Sequence, residues 1–420
     1  MEDLKLILPP HSSYNVPIKY PFKNKKNSIP LNDYRIDENN TAVIIGGGPG
    51  GLLSAFALHQ TQLYSSIYII EKRGSYSRNT AFNLRPQCFA MFKKLGLLNA
   101  FSGASNFVPS LRFHQMHQNQ LEISEEQFTG FDENVDYSMS LSSLFKGYGW
   151  PHHAVKINDF EKNLSQLLFQ MDNIYFLHGV AEIIDDNRSN SSMKTVRFKS
   201  IDPINYPNIT IENPELIVIA EGARSITRDS LVGSYEISTR KSEHWFTASV
   251  SLEDIQKKEA ENNFTVLEDQ PDGKFIIAGW LPKQSEMLIN GNIISSDGNP
   301  IDLEKYIKES AYRVIHREQQ YLDIMMPSSP SDLSINSFND FLVKFLRAKQ
   351  FSYGDNLVFI GDAAGTGSPL GGYGITFLGS VYVNSLIELA SELRNFSDKE
   401  SALKKYCEKV NNIITYWQSI

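Results

Sequence analysis

Cysteine is scarce in this sequence, and its scarcity excludes two kinds of site. Among 420 residues only Cys88 and Cys407 occur, about 320 positions apart. Two distant cysteines provide neither a disulfide framework nor a cysteine cluster that binds a metal. The adjacent His152 and His153 have no partner at ligand spacing. We therefore expect no metal site and a reducing compartment, the cytoplasm.

Excess positive charge and long apolar runs are missing as well. The chain carries 40 Lys and Arg against 48 Asp and Glu, a formal net charge of −8. Binding to nucleic acid calls for a basic surface, so we expect no such partner. No apolar stretch approaches the length of a membrane-spanning helix, and the N-terminus lacks the pattern of a secretion signal. The composition, with 41% apolar and 21% charged residues, is that of a globular protein long enough for two or three domains.

Glycine, in contrast, is concentrated in the run Gly46–Gly51. This run follows Thr41–Ile45, an apolar segment of strand character, and precedes an apolar segment of helical character. A dinucleotide pyrophosphate needs this order of strand, turn and helix. Gly46 permits the tight turn, Gly48 lets the backbone approach the phosphates, and Gly51 lets helix and strand pack closely.

An acidic residue stands at a suitable distance beyond this turn. Glu71 lies twenty residues after Gly51, at the end of a second apolar run, Ile67–Ile70. Its carboxylate can accept hydrogen bonds from the ribose hydroxyls of an adenosine group. A glycine hexapeptide alone also makes ordinary turns. With strand, helix and acid in register, the segment 41–71 predicts a βαβ unit that binds a dinucleotide.

A second glycine-rich turn lies about 310 residues further along the chain. Asp362 follows the apolar run Leu357–Ile360, and the turn Pro369–Gly372 comes shortly after it. Asp362 can accept a hydrogen bond from a ribityl chain, while the glycines of the turn let a helix N-terminus point at an isoalloxazine ring. The alternative for Asp362 is a helix cap. Together the two turns predict the two ends of one bound FAD.

The segments between the two turns predict a second domain. Residues 243–293 alternate strand-like runs with polar turns, and a helix follows over about 303–326. We therefore expect a mixed α/β fold, in which a Rossmann-like FAD-binding domain carries an inserted antiparallel-sheet substrate domain and C-terminal helices. The expected boundaries are 1–38 for an N-terminal extension that wraps the first domain or remains loose, 39–110, 150–235 and 350–395 for the FAD-binding domain, 111–149 and 236–349 for the substrate domain, and 396–420 for a C-terminal helix.

Three motifs in this order resemble the group A flavoprotein monooxygenases, of the p-hydroxybenzoate hydroxylase type. They are Gly46–Gly51 with Glu71, then Glu221–Ser225, and finally Gly361–Ala364. The second is a variant of the Asp-Gly motif that this family associates with FAD and NAD(P)H. A capped strand-to-helix turn is the alternative for this second motif.

The stretch Glu71–Pro86 also resembles the MICAL flavin monooxygenase domain, in which Glu-Lys-Arg precedes an aromatic residue, Ser-Arg and Leu-x-Pro. The resemblance places the first three residues at the adenosine end of FAD, and Arg78 with the two residues after it along the cofactor. A solvated basic loop is the alternative. Ser368 stands where MICAL has Trp, which argues against oxidation of actin. The residues expected to bind FAD are Gly46, Gly48, Pro49, Gly50, Gly51, Glu71, Lys72, Arg73, Arg78, Asn79, Thr80, Asp362, Gly371 and Gly372.

The resemblance implies an FAD-dependent monooxygenase with NADPH or NADH as transient co-substrate. Such an enzyme inserts one oxygen atom of O2 into an aromatic or other electron-rich small molecule through a flavin C4a-hydroperoxide. The alternatives are an isoprenoid reductase or a halogenase on the same scaffold, and a flavin-binding interaction protein without turnover. The identity of the substrate, a catalytic side chain and the oligomeric state do not follow from the sequence.

Overall fold

The computed structural model describes residues 14–21, 34–36, 40–78, 81–97, 106–107, 110–117, 120–127, 153–185, 192–237, 242–251, 264–269, 275–281, 286–293, 301–319, 327–367, 373–395 and 398–419. The helices within these ranges are α1 (Pro49–Gln60), α2 (Pro86–Lys94), α3 (Ile157–Phe169), α4 (Ile226–Val232), α5 (Leu303–Glu318), α6 (Tyr373–Phe377), α7 (Val383–Asn395) and α8 (Lys399–Ser419).

One of these helices is shorter than predicted, and one junction between helices is irregular. The helix predicted over 303–326 ends at Glu318 with Gln319 as its C-cap, and residues 320–326 lie outside the described ranges. A π-helical turn, Leu378–Tyr382, joins α6 to α7. In the described part of the chain, no helix is both long and apolar enough to cross a membrane.

The strands are β1 (Tyr14–Asn15), β2 (Tyr34–Ile36), β3 (Thr41–Ile45), β4 (Ser66–Glu71), β5 (Ser75–Tyr76), β6 (Ala81–Leu84), β7 (Asn106–Phe107), β8 (Ser110–His117), β9 (Gln120–Gln127), β10 (His153–Lys156), β11 (Ile174–Asp185), β12 (Lys194–Ser200), β13 (Ile209–Ile211), β14 (Leu216–Ile219), β15 (Glu236–Ile237), β16 (Glu243–Ser251), β17 (Phe264–Asp269), β18 (Phe275–Leu281), β19 (Glu286–Asn292), β20 (Ile335–Val343), β21 (Leu346–Arg347), β22 (Ser352–Tyr353) and β23 (Leu357–Phe359).

The larger sheet has nine described strands, in the order β2-β13-β12-β11-β4-β3-β14-β23-β22. Its central strands, from β11 to β23, are all parallel. β3 and β14 are apolar runs buried along their whole length, as parallel strands covered by helices should be. The loops after β4, β3, β14 and β23 therefore all leave the sheet at one edge. This edge brings together turns that lie about 310 residues apart in sequence.

The predicted βαβ unit consists of β3, α1 and β4. Pro49 occupies the first turn of α1, where its missing N–H costs nothing, and Gly48 is the extended N-cap. α1 is buried from Gly51 to Leu58, because it lies against the sheet and also contacts α3 and α7. The N-terminus of α1 therefore points out of the carboxyl edge of the sheet.

The described parts of the N-terminal extension lie along this nine-stranded sheet. β1 pairs with β5, which follows the βαβ unit, and Lys19 forms a bridge with Phe176 of β11. β2 adds to the sheet beside β13. The extension thus wraps around the domain where it is described.

A second sheet has seven described strands, in the order β20-β16-β19-β18-β17-β8-β9. All neighbours are antiparallel except β17 and β8, which run parallel. α5 covers one face of this sheet, because apolar residues recur on one side of the helix and at alternate positions of the strands. Their shared core comprises Phe246, Ala248, Val250, Val266, Ile276, Ala278, Met287, Ile289, Ile307, Ala311, Val314, Ile315 and Leu333.

Candidate cofactor site

The turn after β3 requires glycine at two positions for reasons internal to the protein. Gly46 has φ +109°, and a Cβ there would lie 2.4 Å from the Ala220 carbonyl oxygen of the neighbouring strand connection. A Cβ on Gly51 would lie 1.7 Å from the Gly46 carbonyl oxygen. Neither side chain could be accommodated without moving backbone. The tight turn and the close approach of helix and strand predicted for these residues are both present.

Gly48 differs from these two residues. Its φ is −77°, which any residue adopts, and a Cβ there would meet only Arg78 at 3.4 Å, Glu161 at 3.7 Å and Arg73 at 3.8 Å. The protein itself therefore has room for a small side chain at this position. Because Gly48 has no side chain, the space over the N-terminus of α1 stays open.

Glu71 ends β4 beside this turn and is 4% exposed. One of its carboxylate oxygens accepts from the Gly47 N–H at 2.8 Å, and the other accepts from the Arg73 N–H at 2.8 Å. The Arg73 guanidinium also donates to it, at 2.8 Å. Burial by itself would raise the pKa of Glu71, but the hydrogen bonds and charge of Arg73 and the Gly47 amide outweigh it and leave the pKa below its usual value. Glu71 is thus held ionised.

Four charged residues form an arginine cluster at this point: Glu71, Arg73, Arg78 and Glu161. Glu161 lies on α3 and its side chain is fully buried, yet one carboxylate oxygen accepts from both guanidinium groups: Arg78 Nη2 donates through a short contact, and Arg73 donates at 3.3 Å. The Arg78 carbonyl accepts from the Asn158 N–H at 3.2 Å, which ties its loop to the start of α3. Glu161 was not predicted, because an acidic residue within an amphipathic helix ordinarily faces water.

Asp362 lies at the same edge of the sheet, in the 3-10 turn after β23. In the described part of the chain its carboxylate makes no hydrogen bond and caps no helix, so the alternative of a helix cap finds no support. The residue is exposed, yet enough protein surrounds its carboxyl group to disfavour the charged form. This desolvation raises the pKa of Asp362, and the positive charge of Arg78 opposes the rise without cancelling it. Arg78 and Asp362 are therefore electrostatic neighbours.

A buried arginine supports the backbone of this turn. Arg228, on α4, is 1% exposed, and its guanidinium carbon lies 3.3 Å from the centroid of the Tyr235 ring. The Tyr235 hydroxyl donates to the Asp362 carbonyl oxygen through a short contact. Burial raises the pKa of Tyr235, so it stays a donor at neutral pH. Neither Arg228 nor Tyr235 was predicted, because neither belongs to a glycine motif.

The motif Glu221–Ser225 forms a capped turn between β14 and α4. The Ser225 hydroxyl accepts from the Arg228 N–H at 3.1 Å and donates to Glu221 at 2.7 Å, and Glu221 also accepts from the Thr227 N–H at 3.1 Å. This is the geometry of the alternative that the sequence left open. A role toward FAD or NAD(P)H stays a prediction.

The face of the seven-stranded sheet opposite α5 is turned toward this region. Lys156, at the end of β10 and immediately before α3, pairs with Glu286 at 2.5 Å. By strand alternation, Glu286 shares its face with Leu288 and Asn290 of β19. Ser249 lies on the same face, opposite Leu288 in the register, and is 1% exposed. The sheet thus presents a face of mainly uncharged residues toward the domain of the nine-stranded sheet, which carries Arg73 and Arg78.

The structure brings together most of the predicted cofactor-binding residues that it describes. Gly46, Gly48, Pro49, Gly50 and Gly51 form the turn and the start of α1, Glu71, Arg73 and Arg78 lie beside it, and Lys72 is exposed next to them. Asp362 lies at the same sheet edge. Asn79, Thr80, Gly371 and Gly372 lie outside the described residues.

These residues suit a dinucleotide that carries two phosphates. The start of α1 offers backbone N–H groups and the positive end of the helix dipole, and two guanidinium groups lie within about 4 Å of the Gly48 position. Among the described residues none donates a hydrogen bond to the Asp362 carboxylate, which therefore offers an acceptor at the same sheet edge. The class of protein that fold and site define is a dinucleotide-binding α/β protein.

The comparison with protein families identifies the dinucleotide and the class of enzyme, an FAD-dependent oxidoreductase. The chain matches the model of the FAD binding domain family over residues 39–413, and it belongs to that family. FAD is accordingly its cofactor. No curated protein matches the sequence.

Several solved structures share the fold at low sequence identity. The p-nitrophenol 4-monooxygenase PnpA from Pseudomonas putida DLL-E4 is 17% identical with a TM-score of 0.62, and 92% of this chain and 87% of that chain are covered. A point variant of HpxO from Klebsiella pneumoniae, complexed with FAD, is 15% identical with a TM-score of 0.58, covering 91% and 89%. The flavin-dependent brominase Bmp2 is 15% identical with a TM-score of 0.62, covering 89% and 84%. At these identities the likeness concerns the fold alone.

Proposed function

We propose that this protein is an NAD(P)H-using FAD monooxygenase that inserts one oxygen atom of O2 into an aromatic or other electron-rich small molecule. The observation that carries the proposal is that the family match covers the seven-stranded sheet as well as every strand of the nine-stranded sheet except β2. A protein that only bound FAD would need no second sheet turned toward the cofactor. When bound, FAD accepts hydride from NAD(P)H and activates O2.

The pyrophosphate of FAD binds over Gly48 in this proposal. The N-terminus of α1 supplies amide groups and the positive end of the helix dipole. Arg73 and Arg78 supply two guanidinium cations. Glu71 then lies toward the adenosine ribose. Its two oxygens already accept from the protein, but a carboxylate has about four acceptor sites and can accept a ribose hydroxyl as well.

The ribityl chain and the isoalloxazine lie toward Asp362 in this arrangement. The Asp362 carboxylate accepts from a ribityl hydroxyl, and the Tyr235 hydrogen bond holds the backbone of its turn. Arg78 places a positive charge between the two ends of the site. A fixed positive charge there favours the negative charge that arrives with hydride.

The substrate lies between the isoalloxazine and the face of the seven-stranded sheet opposite α5. On this face Lys156 pairs with Glu286, and these two charges compensate each other. Ser249 has a buried hydroxyl with no hydrogen-bond partner among the described residues. Such a face suits a neutral molecule with an apolar body and a polar group, and it excludes water from the reacting atoms.

The proposal is tested by reduction and reoxidation of the bound flavin. Under anaerobic conditions NADPH or NADH should bleach the flavin absorbance of the full-length protein. When 18O2 is admitted together with a panel of phenols, labelled oxygen should appear in a product detected by mass spectrometry. Bound FAD that neither nicotinamide nucleotide reduces would contradict the proposal. Reduction of a substrate double bond without label would favour a reductase, and product that forms only with halide would favour a halogenase.

A further inference from the structure

The arginine cluster contains a carboxylate, Glu161, whose burial is not explained by a contribution to protein stability alone. Glu161 is fully buried, and its two arginine partners share one of its oxygens, Oε1. In the described part of the chain the other oxygen, Oε2, has no hydrogen-bond partner. A buried carboxylate oxygen without a donor is costly, and native proteins retain one where it serves another purpose.

The charges of the cluster cancel where an anion is expected to bind. Arg73 and Arg78 are balanced by Glu71 and Glu161, so the four side chains carry no net charge when all are ionised. Sites for diphosphates ordinarily present excess positive charge. Among the four side chains and the adjoining turn, the excess positive charge comes from the N-terminus of α1, and the exposed Lys72 lies next to the cluster.

Glu161 also lies as close to the phosphate position as the arginines do. A Cβ built on Gly48 would lie 3.7 Å from a Glu161 carboxylate oxygen, between the values for Arg78 and Arg73. A phosphate above this turn therefore meets a negative charge at a similar distance to the positive ones. Unit charges a few Å apart at a partly solvated site change a binding constant by about tenfold or more.

We propose that Glu161 is an internal counter-anion, which occupies Arg73 and Arg78 and lowers the affinity of the site for the pyrophosphate, so that FAD remains exchangeable. The inference rests on the proposed placement of the pyrophosphate over Gly48. Glu161 is not needed to neutralise buried cations, because the Arg78 and Arg73 side chains are 46% and 31% exposed and water can hydrate them. Arg73 also keeps its ion pair with Glu71. Glu161 is thus a positioning residue that acts on the cofactor through the two guanidinium groups.

The first test removes the charge and keeps the shape. Glu161→Gln retains an oxygen that accepts from arginine, so the guanidinium groups stay in place while the repulsion is lost. ADP binding to the flavin-free full-length protein, measured by calorimetry, should become about tenfold tighter. Release of FAD from the holoprotein after dilution, followed by flavin fluorescence, should slow by a similar factor. Riboflavin, which has no phosphate, should bind with unchanged affinity.

The matched control is Glu318→Gln, which alters another fully buried, arginine-paired carboxylate, on α5 and outside the arginine cluster. It should leave ADP binding unchanged. Glu161→Asp keeps the charge and should give no tightening. Should the Gln variant fail to fold, Glu161→Met removes the same charge with an apolar side chain and should also tighten ADP binding.

Two results would overturn the inference: ADP binding that is unchanged or weaker in the uncharged variants, or equal tightening in Glu161→Asp. Gly48→Val separates this inference from the placement on which it rests. If Gly48→Val leaves ADP binding intact, the placement is wrong. If it abolishes binding while Glu161→Gln does not tighten it, the counter-anion inference alone fails. No experiment in this series uses NAD(P)H or O2, so its outcome is independent of the proposed oxygenation.

Discussion

Two fully buried carboxylates, Glu161 and Glu318, both pair with arginine but belong to different environments. Glu318, at the end of α5, accepts from Arg112 through a short contact, and its other oxygen lies 2.6 Å from His114 Nε2. Both partners stand on β8, and their side chains are 9% and 0% exposed. The arginines of Glu161 reach solvent. The Glu318 network therefore ties α5 to β8, whereas Glu161 and its arginines lie beside Gly48, where we propose that an anion binds.

A second ion network also joins α5 to the seven-stranded sheet. Glu268, on β17, is 1% exposed and accepts from Arg313 at 2.7 Å, and Arg317 lies 2.9 Å from the same oxygen. Both arginines lie on α5. The helix is therefore held to two neighbouring strands, β8 and β17, by charges as well as by its apolar face.

The largest expected effect comes from breaking the Glu318 network. Glu318→Ala removes the carboxylate from beside two buried partners, and it should lower the free energy of unfolding by about 3–5 kcal/mol. Glu161→Ala is the matched comparison and should cost clearly less, because its arginines can be hydrated. Urea denaturation of both variants measures the difference. Equal losses would mean that the two carboxylates have the same structural role.

Gly48→Val should have the next largest effect, and on the cofactor alone. The backbone at this position suits any residue, so the variant should fold with nearly wild-type thermal stability. The added side chain would occupy the space over α1, and FAD affinity should fall by about a hundredfold or more, a cost of roughly 3 kcal/mol. Titration of the flavin-free protein with FAD checks this. Full flavin content in Gly48→Val would contradict the proposed placement of the pyrophosphate.

Asp362→Asn should weaken FAD binding while stabilising the flavin-free protein. Loss of a charge-assisted hydrogen bond to the ribityl chain should cost roughly 1.5–3 kcal/mol, or about ten- to a hundredfold in affinity. The pKa of Asp362 is raised above 3.8 in the folded protein, so its ionised form is disfavoured there and lowers stability at neutral pH. Asparagine removes that cost, and the melting temperature of the flavin-free protein should rise at neutral pH but not below the ordinary pKa of the carboxyl group. An Asn variant with unchanged flavin affinity would show that Asp362 does not contact the cofactor.

Glu71→Gln should have the smallest effect, and one that depends on pH. The pKa of Glu71 is lowered from its usual 4.5, so the ionised form stabilises the folded protein. This contribution is fully present above pH 4.5 and is lost as the pH falls through the lower folded value. The variant should lose roughly 1–2 kcal/mol at neutral pH. The difference from wild type should shrink below pH 4.5, and a constant difference across pH would mean that the charge of Glu71 is not what stabilises the turn.

The sequence was most informative where function requires particular local backbone geometry. Gly46 and Gly51 were predicted from the needs of a tight turn, and the structure shows backbone contacts at both that exclude any Cβ. The βαβ unit was predicted because strand, glycine turn and helix follow each other directly. Such patterns are readable because the residues that interact lie within one or two turns of chain.

Residues that meet across long distances in sequence could not be predicted in this way. Glu161 reaches Arg78 across 83 positions, and β8 pairs with β17 across about 150. Phe338, a large apolar residue of the kind that sequence reasoning places in a core, lies on the edge strand β20 and is 49% exposed. Which residues become buried neighbours depends on how whole helices and strands pack. The local spacing of residues does not determine that packing.

Local sequence patterns were enough to predict a βαβ unit typical of dinucleotide binding and a second sheet-forming segment between the two glycine-rich turns. The packing of the elements was needed to show that the arginines beside the turn are shared with a buried carboxylate from α3, and that Asp362 lies within reach of Arg78's charge. The reason is physical. A turn is specified by the conformations its own residues can adopt, whereas the charge around a site is the sum over every element that packs against it.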